Sequence, residues 1–158
     1  VFSLSYVLER LLHEDLGYWE NLVMDYENQT KALKVPHENS IESLHDFNIR
    51  VNDLYTRAAF DFARARRNKD AIERFVENVL KDYYNGPNEL ARRAGGIQYA
   101  RAYPAPDNWR EPTVNLFDLE DRFRYFYYMM DSVIKSLEAK AESRITNNSL
   151  LKLESALS

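Results

Sequence analysis

Six residues set the frame for this chain. Leu44, Val51, Ala58, Ala65, Ile72 and Val79 recur every seven residues without a slip. Phe47, Leu54 with Tyr55, Phe62, Phe75 with Val76, and Tyr83 keep phase beside them. An apolar line of that period is the seam of a long amphipathic helix. No Gly or Pro falls between Ser40 and Tyr84. The stretch therefore predicts one continuous helix over 40–84, about 67 Å long at about 1.5 Å per residue. A rival reading divides it at Arg67-Asn68-Lys69-Asp70, with Asn68 capping a new helix. The unbroken phase from Ala65 to Ile72 argues for continuity. Ala58, Ala59, Ala63 and Ala65 leave room for another helix to approach its middle.

The other elements are expected around this helix. Leu4, Leu8, Leu11, Leu12, Leu16, Trp19, Leu22, Val23 and Tyr26 follow a helical period, predicting a first helix over 3–32, with Gly17 as its weakest point. Pro36 follows it, and Asn39 with Glu42 suits a capping box for the long helix. Asn85-Gly86-Pro87 supplies an exit and a new start. A short helix over 87–94, closed by Gly95-Gly96, is expected next. Residues 95–115 then read as an irregular arm or crossover, strung with Tyr99, Arg101, Tyr103, Trp109 and Arg110. Asn115 and Asp118 suit the cap of a last long helix over about 116–145, on Leu116, Leu119, Phe123, Phe126, Met130, Val133, Ile134, Leu137 and Ala141. A break at Asn147 or Asn148 would leave a helical tail over 147–158. The expected fold is all-α: an elongated antiparallel helical bundle, a single domain over 1–158, with no internal repeat.

Composition narrows the function classes. A hydrophobic fraction of 45%, with 11 Tyr and 8 Phe, is enough for a core. Cysteine is absent, which removes disulfides, thiol nucleophiles and thiolate metal sites. No apolar run is long enough for a membrane span, and charges interrupt the first residues where a signal peptide would lie. A cytoplasmic location is expected. The start at Val1 leads one to expect a processed or trimmed chain. The net charge of -4 is uneven: 3 basic and 7 acidic residues over 1–39, against 8 of each over 40–84. That opposes a general nucleic-acid footprint and leaves the middle able to carry a local basic patch.

Each motif has an ordinary alternative. Glu42-x-x-His45 has the spacing of a carboxylate-bridged metal helix, but no second such pair exists, so no metal and no cofactor are expected. No glycine-flanked serine turn or phosphate loop is present. An enzyme with an unrecognised carboxylate site is the least favoured class. Asn28-Gln29-Thr30 and Asn147-Asn148-Ser149 match the glycosylation pattern and carry little weight without a secretory segment. Arg64, Arg66, Arg67 and Lys69, with Arg92, Arg93 and Arg101, form a candidate phosphate-contacting set, and Tyr99 and Tyr103 are candidate stacking groups for DNA or RNA. Phe123, Tyr125, Phe126, Tyr127, Tyr128 and Met130 make the last helix aromatic nearly all round, as in a helix covered by another chain. The favoured function is a non-catalytic structural or adaptor protein acting through self-association and helical contacts. Its partner would be a second copy or another helical protein.

Overall fold

The computed structural model describes residues 4–36, 40–82, 86–107 and 109–157, with side chains from 6 to 143 and at 156–157 within those spans. Among the described residues the protein is an all-α bundle centred on its longest uninterrupted apolar seam. Its elements are α1 (Leu4–Leu12), α2 (Leu16–Ala32), α3 (Ile41–Asp82), α4 (Glu89–Arg101), β1 (Tyr103–Pro104), β2 (Thr113–Val114) and α5 (Leu116–Leu157).

The central helix is unbroken through Arg67-Asn68-Lys69-Asp70. All six residues of the seven-residue series are buried, none more than 2% exposed. The capping residue is Ser40: its hydroxyl accepts from the Ser43 amide at 3.0 Å. The expected cap at Asn39 and the seam position at Tyr83 lie outside the described residues.

Four boundaries differ from expectation. The first helix is two helices, because the chain turns at His13–Asp15 and the Asp15 carboxylate accepts from the Tyr18 amide at 3.0 Å, capping α2. The apolar period survives the break, so it could not reveal it. The short helix begins later and runs further: Asn88 caps α4 by accepting from the Ala91 amide at 2.8 Å. Gly95 and Gly96 do not close it. Gly96 and Ala100 are its buried residues, one turn apart, and their small size suits a closely packed helix face. The first third of the arm is consequently helix, and its remainder holds an antiparallel pair, Tyr103 opposite Val114 and Pro104 opposite Thr113. Finally, α5 passes through Asn147 and Asn148, so the tail continues it. Interior Asn costs only a fraction of a kcal/mol, about 0.7 at most, far less than Pro.

The chain divides into two compact units. One comprises residues 1–18 and 65–127, and the other 19–64 and 128–158. The first has α1, α4, the β pair and parts of α3 and α5 around Leu8, Leu11, Ile72, Phe75, Val79, Leu116 and Phe123. In it α3 and α5 run antiparallel: Glu73 meets Arg124, and Lys69 lies over Tyr127. The second has most of α2 with parts of α3 and α5, around Trp19, Val23, Tyr26, Leu44, Phe47, Val51, Leu54, Met130 and Leu137. There the Tyr26 hydroxyl donates to Asp61 at 2.5 Å, and Arg57 donates to Gln29 at 3.3 Å, an antiparallel order for α2 and α3. The Tyr55 hydroxyl donates to Glu138 at 3.2 Å, and Lys140 donates to the Leu33 carbonyl.

Candidate functional site

The basic candidates are mostly engaged with acids. In the first unit Arg67 contacts Glu14 at 3.4 Å, and Arg66 reaches Asp70 at 4.0 Å. Lys69 is half-buried, contacts Glu73 at 3.2 Å and stands 4.9 Å from the Tyr127 ring centre. Arg64, in the second unit, pairs with Asp61 at 3.2 Å. On α4, Arg92 donates to the Asn88 carbonyl at 3.3 Å, while Arg93 and Arg101 are exposed. The three α4 arginines point in different directions, because one, eight and nine residues of separation spread them around the helix. Tyr99 and Tyr103 stack edge to face at 5.4 Å, and Tyr103 packs likewise on the buried Phe75 at 5.3 Å. Both rings are half-buried and held edge-on by neighbouring aromatics.

Two polar clusters fix the first unit. Asn68 is fully buried; its side-chain oxygen accepts from Arg10 at 3.0 Å and from Arg67 at 3.4 Å. Burial lowers the Arg10 pKa, as does the like charge of Arg67, against the opposing pull of Glu14. In the second cluster Arg124 joins two carboxylates, Glu73 at 2.9 Å and Glu120 at 3.0 Å. Desolvation pushes the Glu120 carboxyl up, and Arg124 only partly opposes it. Desolvation also pushes Glu73 up, but hydrogen bonds from Arg124 and Lys69 outweigh it and hold that carboxyl low.

The aromatic candidates on α5 separate by direction. Phe123, Phe126 and Met130 are buried in the chain's own cores, with at most 4% exposure. Tyr127 is half-buried beneath Lys69, and Tyr125 and Tyr128 face outward. The aromatic run is thus largely explained within one chain, which its composition alone did not disclose.

A cleft in the first unit, about 620 Å³ in volume, is lined by Leu12, Leu16, Trp109, Val114, Asp118 and Arg122, among others. Trp109 is carried on the loop between β1 and β2; His13 meets it edge-on at 6.3 Å, and Arg110 lies 5.5 Å from its ring centre. The Asp15 carboxylate beside this region is occupied as a helix cap. Among the described residues no group of three His, Cys, Asp or Glu is placed to hold a metal ion. Glu42 and His45 are both exposed on α3.

The surface that sequence reasoning missed is the outer face of α3 in the second unit. Ile49 and Phe60 are 47% and 66% exposed. Eleven residues separate them, about three helical turns, so they lie almost in line. Asn52, Thr56 and Ala63 are exposed along the same strip. Leu44, Phe47, Val51, Leu54 and Ala58, on the opposite side, are buried. Two large apolar groups thus stand where a helix of this pattern usually carries charge. The signal was present, since both interrupt the polar side of the seven-residue repeat, but the strength of the buried seam masked it.

Comparison with protein-family models, with curated proteins and with solved structures finds no match to this chain.

Proposed function

We propose that this chain is a non-catalytic helical protein whose function is protein–protein contact, with self-association as the primary mode. The observation that carries the reading is the pair Ile49 and Phe60, exposed on the side of α3 turned away from its own core. Single exposed apolar residues are ordinary, but two large ones aligned on one helix, separated by small or polar residues, form a seat for another helix. Covering them removes apolar surface from water at about 25 cal/mol per Å². Nucleic-acid contact is the weaker reading, because Arg64, Arg66, Arg67 and Lys69 face acids of the same chain and Tyr99 and Tyr103 are packed.

Sedimentation equilibrium tests the proposal. The native chain should shift from monomer toward a higher mass as its concentration rises into the high micromolar range. Phe60→Ser should remain monomeric at the same concentrations with unchanged helicity. A native chain that stays monomeric throughout would overturn the reading.

A further inference from the structure

The outer face of α3 is self-complementary in charge as well as apolar. Asp46, Asp53, Arg57 and Arg64 are all exposed and all lie on one flank of the Ile49–Phe60 strip, within about a quarter turn of it. The acids come first and the arginines last. Two copies of this helix laid antiparallel, related by a two-fold axis crossing near Leu54 and Tyr55, bring Ile49 of one copy onto Phe60 of the other. The same operation sets Asp46 beside Arg64 of the second copy and Asp53 beside Arg57. A two-fold perpendicular to both helices leaves each flank on its own side, so these charges meet their opposites, twice each. The offset from ideal register is one residue, about 1.5 Å, which an arginine side chain spans easily. A parallel two-fold would carry the charged flank of each copy to opposite sides of the seam and leave these charges without their opposites.

From this we infer that the occupant of the α3 outer face is a second copy of the same chain, docked antiparallel in that register. The inference rests on the self-association proposed above and adds the orientation and the register. Arg57 has further guanidinium donors besides the one bonded to Gln29. Asp46 and Asp53 have no ion pair among the described residues; Arg64 is 58% exposed, and its partner Asp61, only 13% exposed, also accepts from the Tyr26 hydroxyl and so keeps a partner when the arginine turns away. Thr56 lets the two backbones come close between the apolar anchors, and Ala63 does so just beyond them. A contact made by one helix face falls below the roughly 1,200 Å² of a standard interface, so the dimer is a weak one that fills at high micromolar concentration.

The test is complementation between two charge reversals. Asp46→Arg alone sets Arg against Arg64 in both halves of the dimer, and Arg64→Asp alone sets two acids together. Each should raise the concentration at which dimer forms by about tenfold or more, as for the loss of about 1.4 kcal/mol. An equimolar mixture of the two variants restores both pairs and should dimerise near the native concentration, as a heterodimer. Residues 46 and 64 are 18 positions apart, about 27 Å along the helix, so no pairing within one chain can produce the rescue. Both sites are exposed, and circular dichroism matching the native spectrum establishes folding before mixing. If the native chain dimerises but the single reversals do not weaken it, or the mixture does not recover, this register is wrong and self-association stands. If the native chain never dimerises, both fail.

Discussion

At the scale of single residues, Arg124 shows how one cation sets two carboxylates apart. Glu73 has a lowered pKa: although its burial works the other way, its hydrogen bonds to Arg124 and Lys69 prevail. Its ionised form therefore adds stability at neutral pH, and that part is lost as pH falls through its folded pKa, below the ordinary glutamate value. Glu120 is shifted upward by desolvation. Its ionised form works against folding, so its favourable contribution is present at low pH and disappears as pH rises through its folded value. Glu73→Gln should lower the urea midpoint at pH 7 and make stability less sensitive to acid. Glu120→Gln should leave the midpoint at pH 7 unchanged or slightly raised, since the amide oxygen can still accept from Arg124. Urea titrations from pH 3 to 8 check both signs. Gly86 is a second special position. Its φ is +155°, and a Cβ there would stand 2.9 Å from the Ala91 Cβ. Gly86→Ala should destabilise the chain by about 1–3 kcal/mol, read as a lower denaturant midpoint.

At the scale of elements, legibility depended on what each signal measures. Burial periodicity reports which side of a helix is covered, and it located α3 and the apolar side of α5 well. It does not report continuity when a break preserves phase, as between Leu12 and Leu16, where the cues were Gly17 and Asp15 three residues before Tyr18. Conversely, Gly95-Gly96 and Asn147-Asn148 looked like stops, yet packing of Gly96 and the modest cost of interior Asn let both helices continue. The α2 start is therefore held by a cap more than by propensity. Asp15→Ala should cost about 1 kcal/mol, and Asp15→Ser should recover most of it. Hydrogen exchange at Tyr18 and its neighbours in the first turn of α2 should rise in the alanine variant alone, with protection near Val79 kept.

For the whole molecule, the class of fold could be read from the chain because caps, breakers and one long seam agree with each other. The proposed contact surface could not be read as directly. The six interface candidates on α5 counted residues without assigning direction, and Phe123, Phe126 and Met130 proved to be core. The basic run likewise counted charges without their acidic neighbours. Direction is supplied only once the buried side of each helix is known, and that knowledge turns Ile49 and Phe60 from noise in a repeat into a surface. Phe75→Ala, by contrast, removes a ring that is 1% exposed, and should cost about 3–5 kcal/mol.

The placement of the tryptophans has a practical consequence. There are two in the chain, Trp19 and Trp109, and they fall one to each compact unit. Trp19 is 4% exposed in an apolar core, whereas Trp109 is only partly buried, beside His13 and Arg110. The chain thus carries its own pair of optical reporters with distinguishable surroundings. In Trp109→Phe the remaining emission should be blue-shifted and resistant to a soluble quencher; in Trp19→Phe it should be red-shifted and readily quenched. Followed through denaturant, the two single-tryptophan variants give separate melting records, and any difference between their midpoints measures how independently the two halves of this chain come apart.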